Sequence, residues 1–334
     1  VNNLKATPVE IQWHSGLPIY ASAPFLKLLG EQYGWVGGID DAGRLRCVLP
    51  YTVVRKPGFR MVRFRAATVP WEGELDLAEE KSFLNSAIAY FRSTGADMIV
   101  PSGNTAIFRT YPDGAVAAPY GTFVVDLTQP EQVLESKIHA SCRKNIHKAA
   151  KEGVAIKSGI EYLDICHDVI TETLERSGST FRKYDQFKSM VLGLGENVKI
   201  LVAEQGGVLQ GCLIAPFSEY GAYASYCGSI SNSVRGTMHW LHWEAIRQFR
   251  AMGVRRFDFQ GVRINPEKGS KQEGIMTFKS RFGGALVSGY MWKYSFHPLK
   301  WAAYSIAVRL LLGGDIVDRE QSKLVSQSVP PCSL

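Results

Sequence analysis

The sequence has no apolar run long enough to cross a bilayer. The longest, Trp301 to Leu312, contains Arg309 and falls well short of the roughly 20 residues a span requires. Six cysteines, Cys47, Cys142, Cys166, Cys212, Cys227 and Cys332, form no C-x-x-C pair, which argues against a zinc site or a disulfide framework and suits a reducing compartment. A G-x-S-x-G elbow and a Walker loop are both missing, so no hydrolase nucleophile or P-loop is indicated. His239 and His242 stand three apart on a helical pattern, but Trp240 and Trp243 surround them and no third ligand is evident; no metal is expected. No segment near Val1 has the basic-then-apolar form of a secretion signal, and a cytoplasmic protein is the expectation.

What is present is enough apolar material for real cores, 46% of 334 residues, and a net charge of +7. That charge favours an anionic partner such as a nucleic acid, a nucleotide or a lipid headgroup. The organising feature is a repeat. "AIAYFRSTGADMIVPSG" (Ala87 to Gly103) aligns without a gap on "AIRQFRAMGVRRFDFQG" (Ala245 to Gly261). In each, apolar residues at helical spacing lead to a glycine suited to a left-handed helix end, and a short buried strand follows. Upstream, "WVGGIDDAGRLRCVLPY" (Trp35 to Tyr51) and "LVAEQGGVLQGCLIAPF" (Leu201 to Phe217) both read as strand, turn, strand. Each hairpin follows a helical stretch, Phe25 to Gln32 and Tyr184 to Leu192, and precedes a further strand, Arg60 to Val69 and Ala222 to Ser229. Two similar α/β domains are the reading: residues 1–153, completed by 298–334, and residues 154–297.

Between the copies, "ESKIHASCRKNIHKAAKEG" (Glu135 to Gly153) places Leu134, Ile138, Cys142, Ile146 and Ala149 at helical spacing. Lys137, Arg143, Lys144, Lys148 and Lys151 occupy the other faces, which predicts one amphipathic basic helix suited to phosphate contact. Tyr290, Trp292, Tyr294 and Phe296 alternate along a strand, read as a core seam. The helix through Leu312 is expected to pack back on the first domain, and the residues after Asp318 to form a loose tail.

With these landmarks placed, the chain resembles the Fem family of bacterial peptidyltransferases, members of the acetyltransferase-like (GNAT) superfamily that move an amino acid from aminoacyl-tRNA to an amine. The resemblance rests on "CRKNIHKAAKEGV" (Cys142 to Val154), "GTMHWLHWEAIRQFRAMGVRRFDFQGV" (Gly236 to Val262) and "GIMTFKSRFGG" (Gly274 to Gly284), the last like the family's FK-x-x-FGG signature. It implies an α/β (α+β) fold of two tandem GNAT-like domains, each a twisted mixed sheet flanked by helices. The coiled-coil arm of some members has no counterpart here. It also implies aminoacyl-tRNA as co-substrate with no other cofactor. The acceptor would be an amine on a peptidoglycan precursor or natural-product scaffold, with phosphate-bearing molecules and a transient membrane-surface contact among the partners considered.

An aminoacyl ester is already activated, so the enzyme must place an amine near its carbonyl, remove a proton and stabilise the oxyanion. Lys279 is the candidate for the charge, as the resemblance also implies, with Phe278 and Phe282 as a dry wall and Gly283 and Gly284 allowing close substrate approach. The family's acid before a proline is Val100 here; aligning the copies puts Asp258 opposite it, making Asp258 the replacement candidate. Arg235 and Gly236 open the long second helix, where amides cradle phosphates in other proteins; a single glycine there disfavours coenzyme A. Arg176, Arg182 and Tyr184 lie in "ERSGSTFRKYDQF", a segment whose family counterpart lines the acceptor channel, and arginine suits diphosphate or carboxylate. Lys27 matches a family lysine associated with acceptor phosphate, and Tyr223 and Tyr226 are strand residues that would face the channel. Arg143, Lys144, Lys148 and Lys151 are the tRNA candidates. Two other readings stand beside this one: an acyl-coenzyme A-dependent N-acyltransferase, and a non-catalytic protein that binds RNA or a membrane surface.

A phosphate-tracking surface predicts that affinity for uncharged tRNA falls steeply and linearly in a plot of log affinity against log salt. Filter binding across a salt series checks this, and a flat dependence overturns it.

Overall fold

The computed structural model describes residues 3–30 and 32–328; Val1 and Cys332 lie outside them. The first part of the chain forms β1 (Lys5–Val9), α1 (Ala23–Lys27), β2 (Gln32–Ile39), β3 (Leu45–Lys56), β4 (Phe59–Phe64), β5 (Val69–Pro70), α2 (Leu77–Ser93), β6 (Met98–Ile99) and β7 (Val116–Asp126). Two helices follow, α3 (Glu131–Lys137) and the basic α4 (Ala140–Lys151). The plan then recurs as β8 (Ala155–Ser158), α5 (Leu163–Glu175), α6 (Tyr184–Leu192), β9 (Val198–Gln205), β10 (Val208–Ser218), β11 (Gly221–Tyr223), β12 (Tyr226–Ser229), α7 (Thr237–Ala251) and β13 (Arg256–Asp258). The chain closes with α8 (Lys271–Ser280), β14 (Ala285–Ser295), α9 (Pro298–Leu312) and α10 (Ile316–Ser328).

Local chemistry accounts for most of these boundaries. Gly43 at φ +77° turns the β2–β3 hairpin, and Gly206 and Gly207 at φ +58° and +82° turn β9–β10. Helix α2 starts at a reciprocal capping pair, Asp76 with Glu79. The glycines predicted to end the two long helices do so at left-handed φ, +75° for Gly95 and +79° for Gly253. Both long helices bury one face: Phe83, Leu84 and Phe91 from α2 in one core, Leu241, Ile246 and Phe249 from α7 in another.

The strands make one mixed sheet in the order β1-β2-β3-β4-β6-β14-β7-β13-β11-β10-β9-β8. The repeat is visible in it. β1-β2-β3-β4-β6 runs inward from one edge and β8-β9-β10-β11-β13 from the other, each ending in a parallel pair, β4 with β6 and β11 with β13. This is the two-copy mixed α/β architecture that the repeat predicted. At the centre the closing strands are exchanged. β7 follows the first copy in sequence but pairs with β13 of the second, from Arg256↔Asp126 to Asp258↔Val124. β14 follows the second copy but pairs with β6 of the first through Tyr294↔Ile99. A nine-residue antiparallel ladder, Ala285↔Val124 to Lys293↔Val116, joins the two exchanged strands. Trp292 from β14 lies in the first copy's core, with Tyr294 and Phe296 packed against it, so the aromatic face is the seam the alternation predicted.

Three local expectations need correction. Helix α1 ends at Lys27 rather than Gln32. The basic segment is two helices, because Ile138 is extended and His139 caps α4, its ring nitrogen accepting from the Ser141 amide while its own amide donates to the Arg281 carbonyl. Residues 319–328 are helical in α10 rather than a loose tail, and the rest of the expected tail, 329–334, lies outside the described residues. Helix α9 does pack back on the first part of the chain as expected, one side of it seating Trp301 and Tyr304 on Val54, Phe59, Met61 and Met98.

What holds the C-terminal segment is a buried lysine. Lys293 on β14, 3% exposed, donates to Asp315 at 2.9 Å and Asp318 at 2.5 Å, with the Trp301 ring centroid 5.2 Å away. Removing one partner strands buried charge, so Lys293→Met is expected to lower unfolding free energy by about 3 kcal/mol. Urea titration checks this; a loss below about 0.5 kcal/mol, the range of ordinary surface substitutions, overturns it.

Candidate active site

The site is built where β13 stops being regular. Phe259 still donates its amide to the Phe123 carbonyl at 3.0 Å, and pairing resumes with Gly121 donating to the Val262 carbonyl at 3.0 Å. Three steps along one chain therefore face two along the other, which is a β-bulge. Gln260 carries the distortion at φ +56°, and no other described non-glycine residue has a positive φ. For a glutamine this conformation is costly and persists only if surrounding bonds impose it. They do: its amide donates to Asp258 Oδ1 at 2.6 Å, and its side-chain nitrogen donates to the Ser225 hydroxyl at 2.9 Å and to the Tyr20 hydroxyl. Gly261 follows because a Cβ there would lie 2.5 Å from that of Asn104.

The bulge presents two consecutive carbonyls to Lys279. Its Nζ donates to Gln260 O at 2.6 Å and Gly261 O at 2.9 Å. Lys279 closes the last turn of α8, where a cation also meets the negative end of the helix. Burial pushes its pKa down to about 8, opposed by the nearby Cys227 and Asp258. Phe278 is half-buried and packs on His239, His242 and Phe282, the dry wall expected of it. Burial drives both histidines down to about 4, and His242 Nδ1 donates to the Met238 carbonyl at 2.7 Å. Among the described residues no cluster suited to a metal ion is found.

Asp258, at the end of β13, is enclosed by protein but opens onto a cavity. Its Oδ1 takes hydrogen bonds from Thr122 Oγ1 at 2.5 Å and from the Gln260 amide, whereas Oδ2 accepts none from the described residues. Burial raises its pKa, against the lowering effects of Thr122, Gln260, Arg256 and Lys279. A raised carboxylate is a stronger base than an ordinary one.

Two cavities meet at Gln260. The first, about 320 Å³, is lined by Tyr20, Thr122, Tyr223, Arg256 and Asp258 among others. The second, about 200 Å³, is lined by Tyr20, Arg65, Arg182 and Tyr226. Gln260, Tyr20, Asn104 and Thr105 belong to both. Lys279 lines neither. β11 follows β13 as far as Tyr223↔Asp258, after which β12 pairs with β10 and the strands part. Successive β12 residues face opposite sides: Tyr226 faces the second cavity, and Cys227, solvent-accessible, lies on the Lys279 side. The parted strands thus separate a lysine side from a two-cavity side, rather than placing every candidate in one channel.

Arg65 is the most unusual group in the second cavity. It is 6% exposed and donates to Thr52 Oγ1 at 2.8 Å and the Leu29 carbonyl at 2.9 Å. Burial, together with Arg63 and Arg182, lowers its pKa to about 9. Among the described residues no carboxylate pairs with Arg65 or Arg182. Arg182 lies over the Tyr226 ring, 5.5 Å from its centroid.

Other candidates lie elsewhere. Arg176 is spent on Glu172 and on Ser231 at 3.2 Å, bracing α5 against the end of β12. Tyr184 donates to Asp164, outside both cavities. Lys27 is exposed on α1 and lines neither cavity. Arg235 is exposed, and Gly236, at φ +95°, serves packing rather than a phosphate cradle: a Cβ there would lie 2.1 Å from the Asn145 carbonyl oxygen of α4. Gly283 and Gly284 likewise admit protein, not substrate, with Lys137 and Val124 backbone against them. Arg143 donates to the Glu135, Ser136 and Ile138 carbonyls at 3.4, 3.2 and 2.5 Å and so closes α3. Lys148 pairs with Glu152 at 3.6 Å; Lys144 and Lys151 are exposed. Gln260, Tyr20, Ser225, Thr122 and Arg65 escaped notice in the sequence. Only Gln260 had a signal, its place in "FDFQG" ahead of the glycine shared by both copies.

Residues 113–205, from the start of β7 through β9, match the FemAB family model. The chain carries a FemAB-family segment. The crystal structure of FemX superposes with a TM-score of 0.64 at 13% identity, over 89% of this chain and 95% of that one. The C-terminal DUF2156 domain of a protein named as a lysylphosphatidylglycerol synthetase from Agrobacterium fabrum gives 0.54 at 15% identity, over 86% and 92%. L-PGS from Bacillus licheniformis gives 0.51 at 13%, over 87% and 92%. At such identities the likeness is one of fold. No curated protein matches. The family match covers residues 113–205 and the structural likeness is one of overall fold. Arg182 and Thr122 fall inside the matched segment, whereas Lys279, Asp258 and Gln260 lie beyond it.

A buried guanidinium without a carboxylate gains from an anion. Phosphate or sulfate is therefore expected to raise the unfolding midpoint by about 2 °C or more at saturation, and to raise that of Arg65→Met less. Thermal scans across an anion series check this; equal shifts in both proteins overturn it.

Proposed function

We propose that this protein transfers an aminoacyl group from aminoacyl-tRNA to an amine and so forms a peptide bond. The observation that carries the proposal is the placement of Lys279, whose ammonium is held on the bulge carbonyls beside the parted strands, with the cavity of Asp258 across them. The ester carbonyl of the donor would occupy the gap. The acceptor nitrogen attacks the carbonyl carbon, a C–N bond forms, and the carbonyl electron pair moves to oxygen as an oxyanion facing Lys279. Asp258 Oδ2 takes the proton from nitrogen. Collapse then breaks the C–O bond, and the ribose oxygen leaves with the proton that Asp258 took up, which restores the carboxylate.

The acceptor is an amine that also carries an anionic group, phosphate or carboxylate, held by Arg65 and Arg182 in the second cavity. The name given to the structural neighbour from Agrobacterium fabrum, lysylphosphatidylglycerol synthetase, fits that charge through its phosphate. The exposed Lys144 and Lys151 would contact tRNA, with Lys148 beside them. Arg143 is occupied in closing α3. Incubation with charged tRNA and an amine tests the whole reading: product is expected to vanish after ribonuclease treatment, and product formed without any tRNA overturns it.

Lys279 works here as a cation, so its contribution is present below about pH 8 and lost as pH rises through that value. Asp258 works as a base and is lost as pH falls through its raised pKa. A bell-shaped rate profile follows. Lys279→Met is expected to lower kcat by about 100-fold or more with little change in KM, whereas Lys279→Arg retains part of the rate and loses the alkaline fall. Steady-state kinetics across pH check this, and an alkaline limb unchanged in Lys279→Arg overturns the assignment.

A further inference from the structure

Helix α9 turns a row of large apolar side chains to solvent. Leu299 is 88% exposed, Ile306 60%, Leu310 81% and Leu311 81%. Leu299, Ala303, Ile306 and Leu310 recur at intervals of four, three and four, one stripe along one side of the helix. The helix is not a frayed end. Trp301 and Tyr304 seat its other side on Met61 and Met98, Lys300 binds Asp97 at 2.7 Å near its start, and Lys293 ties down Asp315 and Asp318 just past its end. A soluble protein rarely holds so much apolar surface rigidly in water without a partner for it.

Charge identifies the partner. Helix α9 contains Lys300 and Arg309 and no acidic residue. Lys56, at the end of β3, is paired directly across from Phe59, so the two side chains share a face of the sheet. Phe59 stacks edge-on against Tyr304 of α9, with centroids 6.1 Å apart. Exposed Lys56 and Arg309 therefore flank the apolar stripe on a chain of net charge +7. A symmetric pairing with a second copy would bring these cations against their own counterparts. A bilayer rich in anionic phospholipid instead meets the leucines with acyl chains and the cations with phosphates. The helix would lie in the interface plane, since no described helix is long and apolar enough to cross a membrane.

We infer that the outer face of α9 docks this protein onto anionic phospholipid surfaces. The inference is independent of the transfer reaction. Co-sedimentation with vesicles of phosphatidylglycerol and phosphatidylcholine, against phosphatidylcholine alone, tests it. Wild-type protein is expected to bind the anionic vesicles, more weakly as salt rises. The double variant Ile306→Glu, Leu310→Glu should lose about tenfold or more, and Arg309→Glu about fivefold. These side chains are exposed, so unfolding midpoints should match the wild type and exclude misfolding as the cause. Absence of wild-type binding to anionic vesicles overturns the inference, as does equal binding by the double variant. A wild-type dimer that the double variant dissociates, without vesicle binding, would assign the face to a second copy.

Discussion

Two backbone carbonyls pointing at one ammonium set the terms for the centre of this molecule. A straight strand would send the carbonyls of Gln260 and Gly261 to opposite sides, and Lys279 would face at most one of them. The bulge turns both toward Nζ, at the expense of a left-handed glutamine. That conformation holds because Asp258 captures the Gln260 amide, Ser225 and Tyr20 capture its side chain, and Gly261 lets the Asn104 loop close in. Each bond comes from a different part of the chain. The same contacts divide the two cavities and set Asp258 and Lys279 on either side of the parted strands.

The exchange of closing strands is what brings those parts together. β7 lies between β13 and β14, so Thr122 reaches Asp258 across one ladder while Leu286, paired with Phe123, flanks it on the other. Were each copy closed by its own last strand, Thr122 would remain in the first half and the carboxylate would lose a donor. The N-terminal turn at Tyr20, Arg65 beyond β4 and Asn104 beyond β6 add first-half residues to a site whose lysine belongs to the second. The candidate site is thereby located at the seam of the repeat.

Much of the architecture was legible because its signals are local. Asp76 with Glu79, the turns at Gly43 and Gly206, and the helix ends at Gly95 and Gly253 each depend on a few neighbouring residues. The break at Ile138–His139 was not legible, for a physical reason: Leu134, Ile138 and Cys142 keep one face whether the helix is continuous or broken, and the break is enforced by the distant Arg281 carbonyl. Charged candidates divided along the same line. Arg176 and Tyr184 are drawn to Glu172 and Asp164 on nearby α5, partners that a list of charges does not reveal. Lys279 was placed by its aromatic and glycine neighbours. Its glycines, however, turned out to accommodate Lys137 and Val124 rather than substrate.

The sequence by itself determined the doubled plan and the helix and strand identities, since periodicity, caps and turn residues act over a few positions; Lys279 and Asp258 entered as candidates through the family resemblance and the alignment of the two copies. Only the tertiary structure decided which strand closes which half, that Gln260 bends to aim two carbonyls, that Arg65 is buried without a carboxylate, and that α9 faces outward. Those outcomes depend on contacts between residues tens to hundreds of positions apart, such as Tyr20 with Gln260, and on steric room that becomes defined only when the chain has folded.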